Sequence, residues 1–440
     1  MTKHELGTLL EDLSTGIREI DLAERAWHGA AVRRARARRR VIGGVAAAAA
    51  VALAGYAWLG PAADSDVTPS GPMRTSRTSG PSQQSTPAWR AASDGTPYVV
   101  APALGTEHSL PWTDLGLPQE IRSDESRTRL ADVPAAERAT ARAVYLTPAD
   151  GRSPEDAATF RPVVVLADGV QAEVEAVTLE RVSDAEGNAH PPLDARAVDE
   201  GSRLVFAQPG AVVVVDLPTA SVTRVPVPDP HLEWAGWPAD DGTHVVARSA
   251  DAVWLVDPAT GTVARPTAGE GEAMAGRYAF EAGRSGATLD SVHDGVRSRA
   301  ALPWPMVEPW GDTMGTARAD AQVAWVASAT FLGDTGARKL EATAPYQGLV
   351  ALRTEAMPIT EPPEMRLVVL GEDPPRSKGC CRVVGWSPSG RHVLYLTHTP
   401  TGSHVLAWDV ESGTFSRVTR ITGRDRLPGL LALGAGFHRY

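Results

Sequence analysis

From residue 96 onward, apolar positions come in short runs: PYVVAP, RAVYLT, RPVVVLAD, RLVFAQ, AVVVVDL, HVVARS, AVWLVD, QVAWVAS, GLVALR, MRLVVLG, HVLYLT and HVLAWDV. They are rich in Val, and Gly, Pro, Asp and Ser separate them. Runs of that length bounded by turn formers predict strands, and this many predict an all-β domain. The first 40 residues follow another period. Leu6, Leu9, Leu10, Leu13, Ile17 and Ile20 recur at three- and four-residue steps, with Glu11, Asp12, Arg18, Glu19 and Glu24 elsewhere. That pattern predicts an amphipathic helix. Between these regions lies VIGGVAAAAAVALAGYAWLG, Val41 to Gly60, which carries no charge. As a helix it spans roughly 30 Å, the thickness of a bilayer core.

The flanks of that segment give it a direction. Arg33, Arg34, Arg36, Arg38, Arg39 and Arg40 precede it, and Tyr56 and Trp58 sit at its far end. Positive charge stays on the cytoplasmic side, and amphipathic rings favour the headgroup level. The expectation is a transmembrane helix over 41–60, with a cytoplasmic segment 1–40 and everything after residue 60 outside. A cleaved signal peptide fits less well, because its charged region would be 40 residues long. A soluble Ala-rich helix is the other alternative. Residues 61–95 are rich in Pro, Ser, Thr and Gly and nearly empty of large apolar side chains. Such a stretch cannot offset its ordering entropy, so a flexible linker is expected there.

Within residues 96–440 a unit repeats. GWSPSGRHVLYLTHTPTGSHVLAWDVESGTFSRVT begins at Gly385, and GWPADDGTHVVARSADAVWLVDPATGTVARPT begins at Gly236. Trp237 matches Trp386, and Gly242 matches Gly390 with one extra residue in the turn. Asp257, Gly261 and Arg265 match Asp409, Gly413 and Arg417 without a gap. A weaker copy, RLVFAQPGAVVVVDLPTASVTRV, keeps Asp216 and Arg224 and puts Ala220 where the others have glycine. Gly after the Asp supplies the positive φ of a tight turn, and Asp can cap the turn's amides. The run before each Asp is continuously apolar, as a strand buried on both faces requires. Asp216 and Asp257 lie 41 residues apart. A period near 40–50 with several strands per unit predicts a β-propeller. The length allows about seven four-stranded blades, with six or eight also admissible.

The motifs WSPSGRHVLYLT and VLAWDVESG resemble WD40-like, TolB-type propeller repeats. The likeness is clear over some three units and extrapolated over the rest. It departs from true WD40 repeats, since no Gly-His dipeptide opens a unit and only Trp408-Asp409 resembles their closing pair. The layout as a whole is similar to actinobacterial single-pass proteins with an outward propeller. What the resemblance implies is a binding or scaffolding platform for a protein or envelope ligand. It implies no catalytic residue.

Composition narrows the partners. The chain of 440 residues is 43% apolar with a net charge of −10, which argues against a nucleic-acid surface. Lysine occurs only at Lys3, Lys339 and Lys378, the bias of a GC-rich genome. The two cysteines, Cys380 and Cys381, are adjacent and build neither a disulfide framework nor a zinc pair. They read as small residues entering a strand. His398 and His404 flank the loop TPTGS and could approach as two metal ligands, but no third is evident. No P-loop, G-x-S-x-G or H-E-x-x-H occurs. The expectation is no cofactor, no metal and no catalytic site. Two other functions stay open: a membrane-bound regulator whose residues 1–32 hold a cytoplasmic partner such as a sigma factor, and an envelope hydrolase or lyase. Finally, RLPGLLALGAGF after Gly423 is apolar enough to form a strand, and it is expected to pair near Tyr98–Ala101 and close the ring.

Overall fold

The computed structural model describes residues 89–434, with internal gaps, the longer ones at 267–277, 316–323, 333–345, 355–363, 370–380 and 424–430. The expected cytoplasmic helix, the 41–60 span and most of the linker lie outside the described residues. Among the described residues no helix is long and apolar enough to cross a membrane.

The described chain is nearly all strand, arranged as antiparallel meanders. Sheet 1 holds Ala141–Pro148, Thr159–Leu166 and Gln171–Glu173. Sheet 2 holds Arg203–Gln208, Ala211–Asp216 and Ser221–Pro226. Sheet 3 holds Trp234–Gly236, Val245–Arg248, Val253–Asp257 and Thr262–Ala264. Sheet 4 holds Tyr278–Gly283, Gly286–His293 and Val296–Ala301. Sheet 5 holds Met306–Gly315, Ala324–Leu332, Tyr346–Thr354 and Glu364–Val369. Sheet 6 holds Cys381–Trp386, His392–Thr399, Gly402–Asp409 and Phe415–Thr422.

Alternation along each strand sends side chains to two different cores. In sheet 2, Val213 and Val215 join the core shared with sheet 1, while Val212 and Val214 join the core shared with sheet 3. In sheet 6, Val405 and Ala407 pack toward sheet 1, while Leu406 and Trp408 pack with Trp325, Leu349 and Val368 of sheet 5. The apolar runs of sheets 2 and 6 therefore lack a solvent face, because each of these two sheets packs against another sheet on both sides.

Both ends of the described chain add strands to sheets built from distant sequence. Leu431–Leu433 pairs antiparallel with Ala143–Tyr145 of sheet 1, so the last strand joins the first sheet. The expected partner, Tyr98–Ala101, is occupied elsewhere: Tyr98–Val100 lies parallel to Leu367–Val369 of sheet 5. The tail does form a strand, but on the free side of sheet 1. The N-terminal segment runs along the outermost strands of three sheets as a strap. After Pro97–Val100 on sheet 5, Glu120–Arg122 pairs parallel with Arg420–Thr422 of sheet 6. Thr128–Arg129 then pairs parallel with Ala172–Glu173 of sheet 1. Trp89 already docks, giving its indole N–H to the Glu411 carbonyl at 3.2 Å.

The repeated turn is built alike three times. Asp257 accepts from the Ala259 amide at 2.8 Å and the Thr260 hydroxyl at 2.7 Å. Asp409 accepts from the amides of Glu411 and Ser412 at 2.9 and 3.1 Å. Asp216 accepts from the Thr219 amide at 2.9 Å. Gly261 and Gly413 close two of these turns at φ of 73° and 75°. In the third, Ala220 holds φ of 52° despite its Cβ.

Substitutions at the three turns test this geometry. Ala220→Gly relieves a left-handed alanine and should stabilise the domain by about 1 kcal/mol. Gly261→Ala should cost about 1 kcal/mol, since a Cβ there meets nothing within 4 Å. Gly413→Ala should cost clearly more, because its Cβ would sit 2.8 Å from Val99 and 3.1 Å from Trp89 in the strap. Urea melts rank the three, and equal costs at Gly261 and Gly413 would contradict the strap's position. Separately, truncation after Gly423 removes the buried Ala432 and Leu433. It should destabilise the domain by about 2–5 kcal/mol, and an unchanged melting temperature would show the last strand to be dispensable.

Candidate functional site

The repeat tryptophans occupy the junctions between sheets, and the repeat Asp and Gly residues occupy turns. Trp237 is buried, and the Arg203 guanidinium of sheet 2 lies over its ring at 4.2 Å. Trp386 and Trp408 are buried in the core between sheets 5 and 6. Gly390, at φ of 69°, donates its N–H to the Ser387 carbonyl at 2.8 Å. Asp409 is buried and pairs with Arg391 at 2.6 Å. Burial pushes its carboxyl up, but the Arg391 guanidinium and the Ser412 and Glu411 amides outweigh that, so it lies below the usual carboxylate range. Asp257 is also held low, first by the Thr260 hydroxyl and then by the Ala259 amide. The membrane-flanking set, Arg33, Arg34, Arg36, Arg38, Arg39, Arg40, Tyr56 and Trp58, lies outside the described residues.

The repeated arginine has the same task in two sheets and a different one in the third. Arg224 reaches the Pro209 carbonyl at 3.5 Å, and Arg265 reaches the Asp251 carbonyl at 3.2 Å. In sheet 6, Arg417 reaches into the strap instead, donating to the His108 carbonyl at 3.2 Å. Its backbone is held there too, between Pro111 and Thr113. Arg417 thus anchors the strap to sheet 6.

A row of polar residues crosses this sheet in register. Cys381 lies opposite Thr397, Thr397 opposite His404, His404 opposite Arg420, and Arg420 opposite Glu120 of the strap. Register partners share a face. That face also receives Arg417, which lies opposite Leu406, two residues beyond His404. Residues three apart in a regular strand point to opposite faces. A bulge resolves the conflict: the register shifts between Val405 and Leu406, and Val418–Thr419 absorbs the extra residue. Bulges re-aim side chains in this way.

His404 is 4% exposed, and neither ring nitrogen has a hydrogen-bond partner. Burial pushes its imidazole down to about 4, and Arg420, Arg417 and His108 push in the same direction. His398 is one step along the ladder from Thr397, so it faces the other side of the sheet and donates to or accepts from the Ser403 hydroxyl at 2.8 Å. Burial pushes it down to about 4 as well. The two histidines that flank the TPTGS loop therefore diverge. Among the described residues no group of three His, Cys, Asp or Glu could hold a metal ion. Cys381 is buried at the start of its strand, 3.8 Å from the Thr397 hydroxyl.

The sequence pointed at Arg417 as a repeat position and at His404 as a loop neighbour. It gave no sign that a bulge sets Arg420 beside them, since Val418-Thr419 looks like any strand pair. The strap, too, carries no motif.

No family model and no curated protein matches the chain. Solved structures that it resembles include TolB from Acinetobacter baumannii, 12% identical over 65% of this chain and 68% of that one, with a TM-score of 0.37. Another is the β-propeller domain of Cps50 (Swd1) from Myceliophteria thermophila, 13% identical over 65% of this chain and 87% of that one, with a TM-score of 0.29. A third is hydrazine synthase from Kuenenia stuttgartiensis, 12% identical over 66% and 80%, with a TM-score of 0.34.

The two depressed histidines make the domain acid-labile. Unfolded histidines titrate near 6.5, and the folded rings near 4. As pH falls through that window, the unfolded chain binds protons that the folded domain excludes. Stability present above pH 6.5 is therefore lost toward pH 4, by on the order of a few kcal/mol. Urea melts at pH 7 and pH 4.5 read the loss. A His398→Gln, His404→Gln double variant should show a much flatter dependence across that window, and an unchanged slope would contradict the assignment.

Proposed function

We propose that the chain is a single-pass membrane protein whose outer domain is a six-bladed propeller serving as a binding platform for a protein or envelope ligand. The observation that carries this reading is the return of Leu431–Leu433 to Ala143–Tyr145. In a ring of meander sheets, the last strand has to complete the first sheet, which removes the open edge. The successive contacts support it. The first strand of sheet 4 touches that of sheet 5, that of sheet 5 touches that of sheet 6, and that of sheet 6 touches Leu431–Leu433. A count of six blades, within the six to eight that the sequence allows, takes the six larger sheets as blades, with the strap and tail completing sheets 5, 6 and 1 and the short ladder of Val182–Ser183 with Ala189–His190 outside the count.

The anchoring half of the proposal rests on the sequence. The Arg33–Arg40 run, the uncharged Val41–Gly60 segment and the Pro/Ser/Thr stretch after it describe an inside, a crossing and a spacer. On this reading residues 1–32 remain in the cytoplasm, available to a partner there. The platform reading uses the rims. The outermost strands of sheets 2 and 3, Ser221–Pro226 and Thr262–Ala264, take no further strand among the described residues, and most of their side chains are exposed.

A fusion at Tyr440 to a reporter that folds only outside the cytoplasm should be active, and deleting 41–60 should abolish that activity and move the protein out of the membrane fraction. Activity from a reporter that works only in the cytoplasm would reject the orientation.

A further inference from the structure

Among the described residues, sheet 6 buries three polar groups without a hydrogen-bond partner, the Trp408 indole N–H, the Thr419 hydroxyl and the His404 imidazole. His404 is 4% exposed, and it alone of the three lacks a partner at two atoms. A buried imidazole in that position carries an N–H with nothing to receive it, which folded proteins rarely tolerate. On the same face stand Arg420, its register partner, and Arg417, brought there by the bulge at Val418–Thr419. Both arginines are half-buried, whereas the imidazole is buried. Among the described residues neither makes an ion pair, and Arg417 spends one N–H on the His108 carbonyl. The nearby strap carboxylate, Glu120, is already engaged by the Thr422 hydroxyl at 2.9 Å and by Arg122 at 3.3 Å.

Two guanidinium groups and a neutral imidazole make the cluster rich in donors and net positive, with the Glu120 carboxylate beside Arg420. A cation would be repelled by it. A planar carboxylate is met by a single arginine fork, whereas donors from three side chains suit an oxyanion with several oxygens. A bulge that turns an arginine toward a buried, unpaired imidazole is the kind of irregularity that builds a site. We propose that His404, Arg417 and Arg420 form a binding site for a phosphate-type oxyanion, free or carried on a small phosphoester. The site rests on the geometry of sheet 6 and the strap alone, so it stands or falls independently of the anchoring and orientation proposed above. Because Arg417 also holds the strap, an anion there would tie sheet 6 and residues 107–113 together.

The test uses the full-length chain and three probes: inorganic phosphate, sulfate and glycerol phosphate. Calorimetry should show saturable binding, and the His404 ring resonances should shift on saturation. Since replacing His404 disturbs the core, the arginines carry the mutational arm. Arg417→Gln and Arg420→Gln should each weaken binding about tenfold or more, and Arg224→Gln on sheet 2 should leave it unchanged. Tighter binding of glycerol phosphate than of the inorganic anions identifies a phosphoester ligand, and the reverse order identifies free phosphate. The proposal is overturned if none of the three probes binds saturably, if the His404 resonances do not move, or if the double arginine variant binds as tightly as the parent.

Discussion

Burial of a sheet on both faces, as in sheets 2 and 6, is the constraint from which the rest of the structure follows. A strand such as Ala211–Asp216 puts valines on either side and keeps neither side for water. Such a sheet needs a neighbour on each face. The neighbour has the same need, so a finite row of these sheets always leaves two apolar faces exposed. Returning the chain to its starting sheet is the way to leave none. The pairing of Leu431–Leu433 with Ala143–Tyr145 brings the last described strand back to the first sheet, as that solution requires. Losing that strand would uncover the edge of Ala143–Tyr145 in sheet 1 and the first strand of sheet 6, which it touches.

The strap answers a second problem, the outer edges. Sheets 5, 6 and 1 end in strands whose edges are covered by parallel strands of two to four residues from residues 97–129. Covered edges cannot recruit other chains. The strap is held by specific chemistry: Arg366 lies over the rings of Trp89 and Trp325 at 5.5 and 5.1 Å, Arg417 grips the His108 carbonyl, and Glu120 meets Thr422. In sheet 6 the repeat is modified to receive it. Gly413 makes room for Val99 and Trp89, and the bulge in Phe415–Thr422 brings Arg420 and Arg417 to one face. Structural adaptation and the candidate anion site therefore share the same residues.

Local chemistry was legible in the sequence, and long-range pairing was not. The Asp-x-x-[Ser/Thr]-Gly turns could be read because the carboxylate caps amides two and three residues away. Strands buried on both faces could be read from unbroken apolar runs such as AVVVVD. The closing partner of the tail could not. PYVV and ARAVYLTP are both apolar strand formers, and nothing in either says which lies free at the right place. His404 was visible as a histidine near a loop, but its isolation depends on a register shift one strand away. Ala220 was visible as a departure from the turn glycine, and its positive φ shows that the turn geometry outranks the residue's own preference.

The central claim is that the C-terminal strand is an integral part of sheet 1. Native-state hydrogen exchange tests it directly. The account predicts that the amides of Leu431–Leu433 and of their partners Ala143–Tyr145 exchange as slowly as those of Val163–Val165 in the same sheet, through global opening alone. Fast exchange at Leu431–Leu433, with Val163–Val165 still protected, would contradict it.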